Sequence, residues 1–140
     1  MAKPLNSISL IDLPHHFEDN GDLIVIEGNK HIPFSIARVF VVRAPKNEIR
    51  GQHAHKQCTQ FLICHSGSIE VICDDGENIT NYLLDRPNFG LMIPPGIWAQ
   101  QTYLTDNSVL TVLCDRPYEA EDYIRQYDEF KTYYQKNSKD

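Results

Sequence analysis

Short apolar runs separated by turn signals cover most of the chain. The runs predict strands at Ser7–Ile11, Leu23–Glu27, Ala37–Arg43, Thr59–His65, Ser68–Cys73, Asn78–Leu84, Phe89–Ile93, Ile97–Tyr103 and Ser108–Cys114. They are rich in Val, Ile, Phe and Tyr, and many recur about every ten residues, the beat of a sandwich or barrel. Turn chemistry fills the gaps: Ser66-Gly67, Asp75-Gly76, Arg86-Pro87-Asn88, Pro94-Pro95-Gly96 and Asp106-Asn107. Ser66-Gly67 between two strands predicts a tight hairpin. The tail follows a different period. Tyr123, Tyr127, Phe130 and Tyr134 share one face of a helix predicted over Glu119–Gln135, a lid on the barrel or part of a contact between copies. The last five residues are polar, and fraying is expected there.

An all-β chain with one terminal helix must dispose of its sheet edges, and closure into a barrel or double-sheet jelly roll does so. The mouth of such a barrel is a pocket. With 140 residues, positions 1–140 form one domain able to bury a core without staples. The net charge of −6 argues against a nucleic-acid or anionic-membrane partner, both of which need a basic field. It leaves room for a small phosphate-bearing ligand, because a few arginines can dominate one pocket. No leader-like segment or membrane-length apolar run is visible. Cys58, Cys64, Cys73 and Cys114 contain no Cys-x-x-Cys spacing and read as reduced, buried small hydrophobes. A cytoplasmic location is the corresponding expectation.

Candidate chemistry concentrates in Arg50-Gly51-Gln52-His53-Ala54-His55. Residues two apart on a strand face the same way, so His53 and His55 project together. Gly51 permits a bend just before them. Such a pair serves a metal site or an acid–base site, or is simply two hydrogen-bonded surface histidines.

The wider pattern is Gly51-x-His53-x-His55, Gln60, Gly67, then Gly90, Pro94-Pro95-Gly96 and Ala99. It resembles the two motifs of the cupin superfamily, implying a double-stranded β-helix jelly roll. The usual cupin metal site adds a Glu and a third His to the first two. Those positions here carry Gln60 and Ala99, a poor ligand and no ligand. The expectation is no metal and no cofactor, with two imidazoles left to move protons.

A closer resemblance is to the sugar-nucleotide 3,4-ketoisomerases, a metal-free cupin family. It rests on Ile32-Pro33-Phe34-Ser35-Ile36 with Arg38-Val39, Arg50 to Lys56, Gln60 to Cys64, Pro95-Gly96-Ile97-Trp98 and the tail Asp122-Tyr123-Ile124-Arg125-Gln126-Tyr127-Asp128. The resemblance implies a homodimer acting on dTDP-4-keto-6-deoxyglucose, with the 3-keto product later aminated for surface glycans. It places the proton shuttle on His53, with His55 and Arg50 beside it as catalytic residues. Substrate-binding positions implied are Arg38, Gln60, Trp98, Phe40, Ala99 and Asn20. Phe40 lacks a hydroxyl where relatives often carry Tyr, and Ala99 and Asn20 are positions that vary in the family.

Arg38 and Arg50 are candidates for the diphosphate or else solvated strand-end charges. Trp98 and Tyr103 either line the pocket or pack the core. The alternatives to the isomerase are a metal-free 3,5-epimerase, a metal-dependent oxygenase and a non-catalytic sugar-binding module. Gln60 and Ala99 count against the oxygenase.

Overall fold

A computed structural model describes residues 7–137; residues 138–140 of the tail expected to fray lie outside the described residues. The strands are β1 (Ser9–Asp12), β2 (His15–Glu18), β3 (Gly21–Ile24), β4 (Arg38–Arg43), β5 (Ile49–His55), β6 (Gln60–Ser66), β7 (Ile69–Asp74), β8 (Ile79–Leu84), β9 (Phe89–Ile93), β10 (Trp98–Tyr103), β11 (Val109–Cys114) and β12 (Tyr123–Ile124). A 3-10 turn (Ala120–Asp122) precedes β12, and one helix, α1 (Tyr127–Asn137), ends the described chain.

Two antiparallel sheets, in orders β1-β9-β6-β11-β4 and β12-β5-β10-β7-β8, face each other as the jelly-roll expectation requires. Between them lies the main core, with Leu62, Val71, Leu84, Leu91 and Leu110 contributed by strands of both sheets. The first sheet is also covered on its outer side, where Phe61, Ile63, Met92 and Leu113 pack against Leu13, Ile32 and Phe34. Burial on both faces explains why β6, β9 and β11 read as continuous apolar runs rather than alternating ones.

The turn at Gly67 has no room for a side chain. Its φ is +80°, and an added Cβ would come within 2.8 Å of the Ser108 backbone. This is the tight hairpin that Ser66-Gly67 predicts. Strand β1 pairs with β9 of its own chain on one side and forms the sheet edge on the other.

The tail differs from the helix predicted over Glu119–Gln135. Residues 120–122 make the 3-10 turn, and Tyr123 and Ile124 pair with His55 and Ala54 of β5. The helix begins only at Tyr127. Of the aromatic stripe only Phe130 is fully buried, in a small core with Ala54 and Ile124. Ala54 lies between the two histidines and points the opposite way. Helix α1 thus braces the back of the strand that carries them.

Replacing Phe130 with Ala removes the largest member of this brace and is expected to cost about 3–5 kcal/mol of stability. Urea unfolding measures it. A loss below about 1 kcal/mol would mean that the helix is not packed as a structural element.

Candidate active site

The site forms where β5 bends. Pairing with β10 matches Ala99 to His53 and Gln100 to Gly51, so Gln52 is an extra residue. Gly51 and Gln52 have φ of +91° and +56°, the two successive left-handed residues of a bulge. Gly51 therefore supplies the bend its position suggests, and Gln52 carries a conformation that costs a non-glycine residue about 1 kcal/mol. Beyond the bulge the two imidazoles share the inner face, with ring centroids 5.0 Å apart and planes at 89°.

Each ring has one nitrogen engaged. His53 Nδ1 lies 3.0 Å from the Gly51 carbonyl oxygen. A carbonyl only accepts, so Nδ1 is the donor and neutral His53 has its lone pair on Nε2. His55 Nδ1 lies 2.8 Å from Asp122 Oδ2, and both residues are less than one-tenth exposed. Its Nε2 is buried and has no hydrogen-bond partner among the described residues.

Burial, then the neighbouring His55 and Arg125, lowers the His53 pKa to about 4 despite the opposing bond to Gly51. His53 is therefore a neutral imidazole at pH 7. Burial also lowers His55, opposed by its bond and charge interaction with Asp122.

Beside the rings lies a cavity of about 280 Å³ whose walls include His53, Arg38, Arg50, Gln60 and Phe40. Tyr123 and Arg125 from the tail complete that wall. Arg38 Nη1 donates to the Tyr123 hydroxyl at 3.3 Å, and the Arg125 guanidinium sits 4.2 Å from the centre of the Tyr123 ring. Tyr123 in turn touches both imidazoles, at ring-centroid distances of 5.1 Å from His53 and 4.4 Å from His55. Three guanidinium groups thus converge on one cavity of an acidic protein. A larger groove of about 410 Å³ runs along α1 by Lys56, Asp128 and Lys136, but neither imidazole lines it.

Of the positions expected to meet the substrate, Arg38, Arg50, Gln60, Phe40 and His53 come together in the cavity wall. His55 stands directly behind. The structure does not bring the other three there. Trp98 packs against Tyr127 and Phe130 under the helix. Ala99 is the cross-strand partner of His53 and sits in the buried main core. Asn20 lies in the turn of the separate β2–β3 hairpin. Tyr103 is fully buried core, with no partner for its hydroxyl among the described residues.

Tyr123, Arg125 and Asp122 were not among the expected site residues. The tail motif was the available signal, but its aromatic spacing suggested a helix face, whereas Asp122 and Tyr123 belong to a turn and a strand.

The donor set can be tested for a metal. Gln60 lines the cavity, but its amide Nε2 points to Cys114 Sγ at 3.6 Å, and Ala99 offers no donor. His55, Cys58 and Asp122 do form a buried group of possible ligands within 4.8 Å of one another. There the His55–Asp122 hydrogen bond already uses one donor pair. The Cys58 thiol is held protonated by its hydrogen bond to Cys114 and by burial. All four cysteines are free and buried, as the sequence suggests.

Comparisons with known proteins fit this geometry. A family model described as "FdtA: WxcM-like, C-terminal" matches residues 6–135. The TDP-4-oxo-6-deoxy-alpha-D-glucose-3,4-oxoisomerase of Aneurinibacillus thermoaerophilus is 43% identical, over 89% of this chain and 90% of its own length. The structure of QdtA, a sugar 3,4-ketoisomerase from Thermoanaerobacterium thermosaccharolyticum in complex with TDP, superposes with a TM-score of 0.89 at 35% identity, covering 92% of this chain and 95% of that one. A TDP-quinovose 3,4-ketoisomerase from Campylobacter jejuni, WlaRB, gives a TM-score of 0.84 at 38% identity over 89% of this chain and 97% of that one. A fold of two facing sheets, a histidine pair on a bulged strand and near full-length similarity converge on one conclusion: the chain belongs to the FdtA family of WxcM-like domains.

Proposed function

We propose that the protein is an isomerase that moves the keto group of dTDP-4-keto-6-deoxyglucose from C4 to C3. The observation that carries this reading is the neutral His53, lone pair on Nε2, in the wall of an arginine-lined cavity. The family relationship supports the substrate class.

The ketone at C4 acidifies the hydrogen on C3. His53 Nε2 removes that proton, an enediol spans C3 and C4, and the proton returns to C4. One base swinging between adjacent carbons suffices for the carbon-bound proton. Positioned acid–base catalysis of this kind contributes roughly 10²–10⁴ in rate. Arg38, Arg50 and Arg125 are the groups available for the diphosphate, and guanidinium groups suit its oxygens.

The resulting 3-keto sugar suits amination by a later enzyme for a surface glycan. The reaction belongs in the cytoplasm, a reading supported by the free, buried cysteines. The active form is a homodimer. Phe17 and Leu23 on the β2–β3 hairpin are 74% and 61% exposed, and Val39 and Val41 on edge strand β4 are 56% and 57% exposed. Apolar surface of that kind on an edge strand and a two-stranded hairpin calls for cover. Light scattering at micromolar concentration is expected to give twice the chain mass; a monomer would contradict the assignment.

Replacing His53 with Asn is expected to abolish both turnover and exchange of the C3 hydrogen with solvent deuterium, with little change in nucleotide affinity. Near-native exchange in this variant would remove His53 from the role of base.

The pH dependence follows from the depressed pKa. His53 is active when neutral, so the base form is present above its folded pKa and is lost as pH falls through about 4. The acid limb of kcat/KM, which reports the free enzyme, should therefore lie well below the ordinary histidine value of about 6.5. An acid limb at or above that value, in protein shown by circular dichroism to be folded, would contradict it. Exhaustive chelation is expected to leave turnover intact, because Gln60 is a poor metal ligand and Ala99 is none. Loss of activity with removal of a stoichiometric metal, and its return when the metal is restored, would overturn that expectation.

A further inference from the structure

Isomerisation leaves the sulfur atoms of the chain unused, and two of them meet beside the cavity. Cys58 precedes β6, and Cys114 ends β11. Cys114 is paired across the sheet with Gln60 on one side and with Arg38 on the other. The pairing with β6 runs one step further. There the Asp115 N–H donates to the Thr59 carbonyl at 3.2 Å, and the Thr59 N–H donates to the Asp115 carboxylate at 2.9 Å. Cys58 therefore lies diagonally from Cys114, and its thiol donates to the Cys114 sulfur. Gln60, which lines the cavity, donates its Nε2 hydrogen to the same sulfur at 3.6 Å.

These contacts set the two sulfurs apart. The hydrogen bond from Cys58, then that from Gln60 and the charge of Arg38, lower the pKa of Cys114 against the effect of burial. The same hydrogen bond, with burial, raises that of Cys58. One sulfur is thus suited to attack as a thiolate, with a second thiol in contact to follow it. Burial pushes Cys64 and Cys73 up to about 11 and about 12, which leaves them poor nucleophiles. Both members of the pair are buried, so only a small reagent can reach them. Cys114 stands behind the Gln60 side chain, and the cavity of about 280 Å³ that Gln60 lines has room for one.

We propose that Cys58 and Cys114 are an oxidation site, converted to a disulfide by hydrogen peroxide or another small hydroperoxide, and that this oxidation lowers the affinity of the neighbouring cavity for a nucleoside diphosphate. The Cys114 thiolate attacks one peroxide oxygen, the O–O bond breaks, and the other oxygen leaves as hydroxide, which takes up the Cys114 proton. The Cys58 sulfur then attacks the sulfenic acid on Cys114. The S–S bond forms, the S–O bond breaks, and the departing hydroxide takes up the Cys58 proton. Two thiols and one hydrogen peroxide become one disulfide and two waters, with two electrons passing from sulfur to oxygen. The bond demands movement. A disulfide holds its Cβ atoms about 3.8 Å apart, whereas diagonal neighbours on paired strands stand about 7 Å apart. A close-packed sheet does not absorb such a shift at one residue. The end of β11 is drawn toward Cys58, and Gln60 and Arg38, its partners on either side, move with it. The strain also keeps the bond easy to reduce, as a reversible modification requires.

The test treats the folded wild-type protein with hydrogen peroxide, removes the excess with catalase, and maps thiols by alkylation in denaturant. The intact protein should lose the mass of two hydrogens, and peptide mapping should join Cys58 to Cys114 while Cys64 and Cys73 stay free. Binding of dTDP should weaken by about tenfold, as expected when one charge-assisted hydrogen bond is lost, and dithiothreitol should restore it. Cys58→Ser, which keeps a hydroxyl donor beside Cys114, should bind dTDP as tightly as untreated wild type and form no disulfide. Four free thiols after treatment, an oxygen adduct on Cys114 with no disulfide, a bond to Cys64 or Cys73, or a Cys58–Cys114 bond that leaves dTDP affinity unchanged would overturn the assignment. The mapping stands apart from the isomerase reading, whereas the effect on the cavity rests on it. Untreated protein that fails to bind dTDP would overturn that reading and the effect together, and a disulfide that fails to form in protein that binds dTDP would overturn the oxidation site alone.

Discussion

Everything at this site depends on how one strand presents two imidazoles. The bulge at Gly51 and Gln52 turns β5 so that His53 and His55 share the inner face, and it brings the Gly51 carbonyl to His53 Nδ1. Ala54, between them, faces outward under Phe130. Strand β12 pairs with the same stretch, setting Tyr123 against both rings and Asp122 against His55. Both Nδ1 atoms are thereby committed to acceptors, and both Nε2 atoms retain lone pairs. The tail that closes the fold is also the element that fixes the protonation of the site.

Burial and charge then act together. Desolvation keeps the rings neutral, and the arginines around the cavity push the same way. A site that holds its bases unprotonated while empty needs no proton release before reaction. The same guanidinium groups form the positive field that an acidic chain otherwise lacks, placed where a diphosphate has to bind. Burial is the main control on the bases, and Arg125, which also lines the cavity, adds to it.

Much of this was legible in the residues. Apolar runs and turn pairs located most of the barrel strands but not β5. That strand is polar at Arg50, Gln52, His53 and His55, and it was legible only through the two-residue spacing that puts His53 and His55 on one face. Gly51 marked the bend. What escaped did so for physical reasons. The β2–β3 hairpin is polar and exposed, so His15–Glu18 carries no apolar run. Tyr123 fell by chance on the helical spacing of Tyr127 and Phe130, which hid the strand it belongs to and the Asp122 turn before it. Trp98 precedes inward-facing Ala99 on β10, so strand alternation sends it out under the helix. Asn20 lies in a hairpin that this chain's own cavity does not include.

The central claim is that this cavity performs a 1,2-shift of a carbonyl through an enediol. The most direct measurement is to incubate the wild-type protein with dTDP-4-keto-6-deoxyglucose in D₂O and follow C3 and C4 by NMR. The account predicts that the carbonyl signal moves from C4 to C3, with deuterium entering at C3 of the substrate and C4 of the product. Deuterium entering at C5, with the carbonyl still at C4, would indicate epimerisation instead and contradict it.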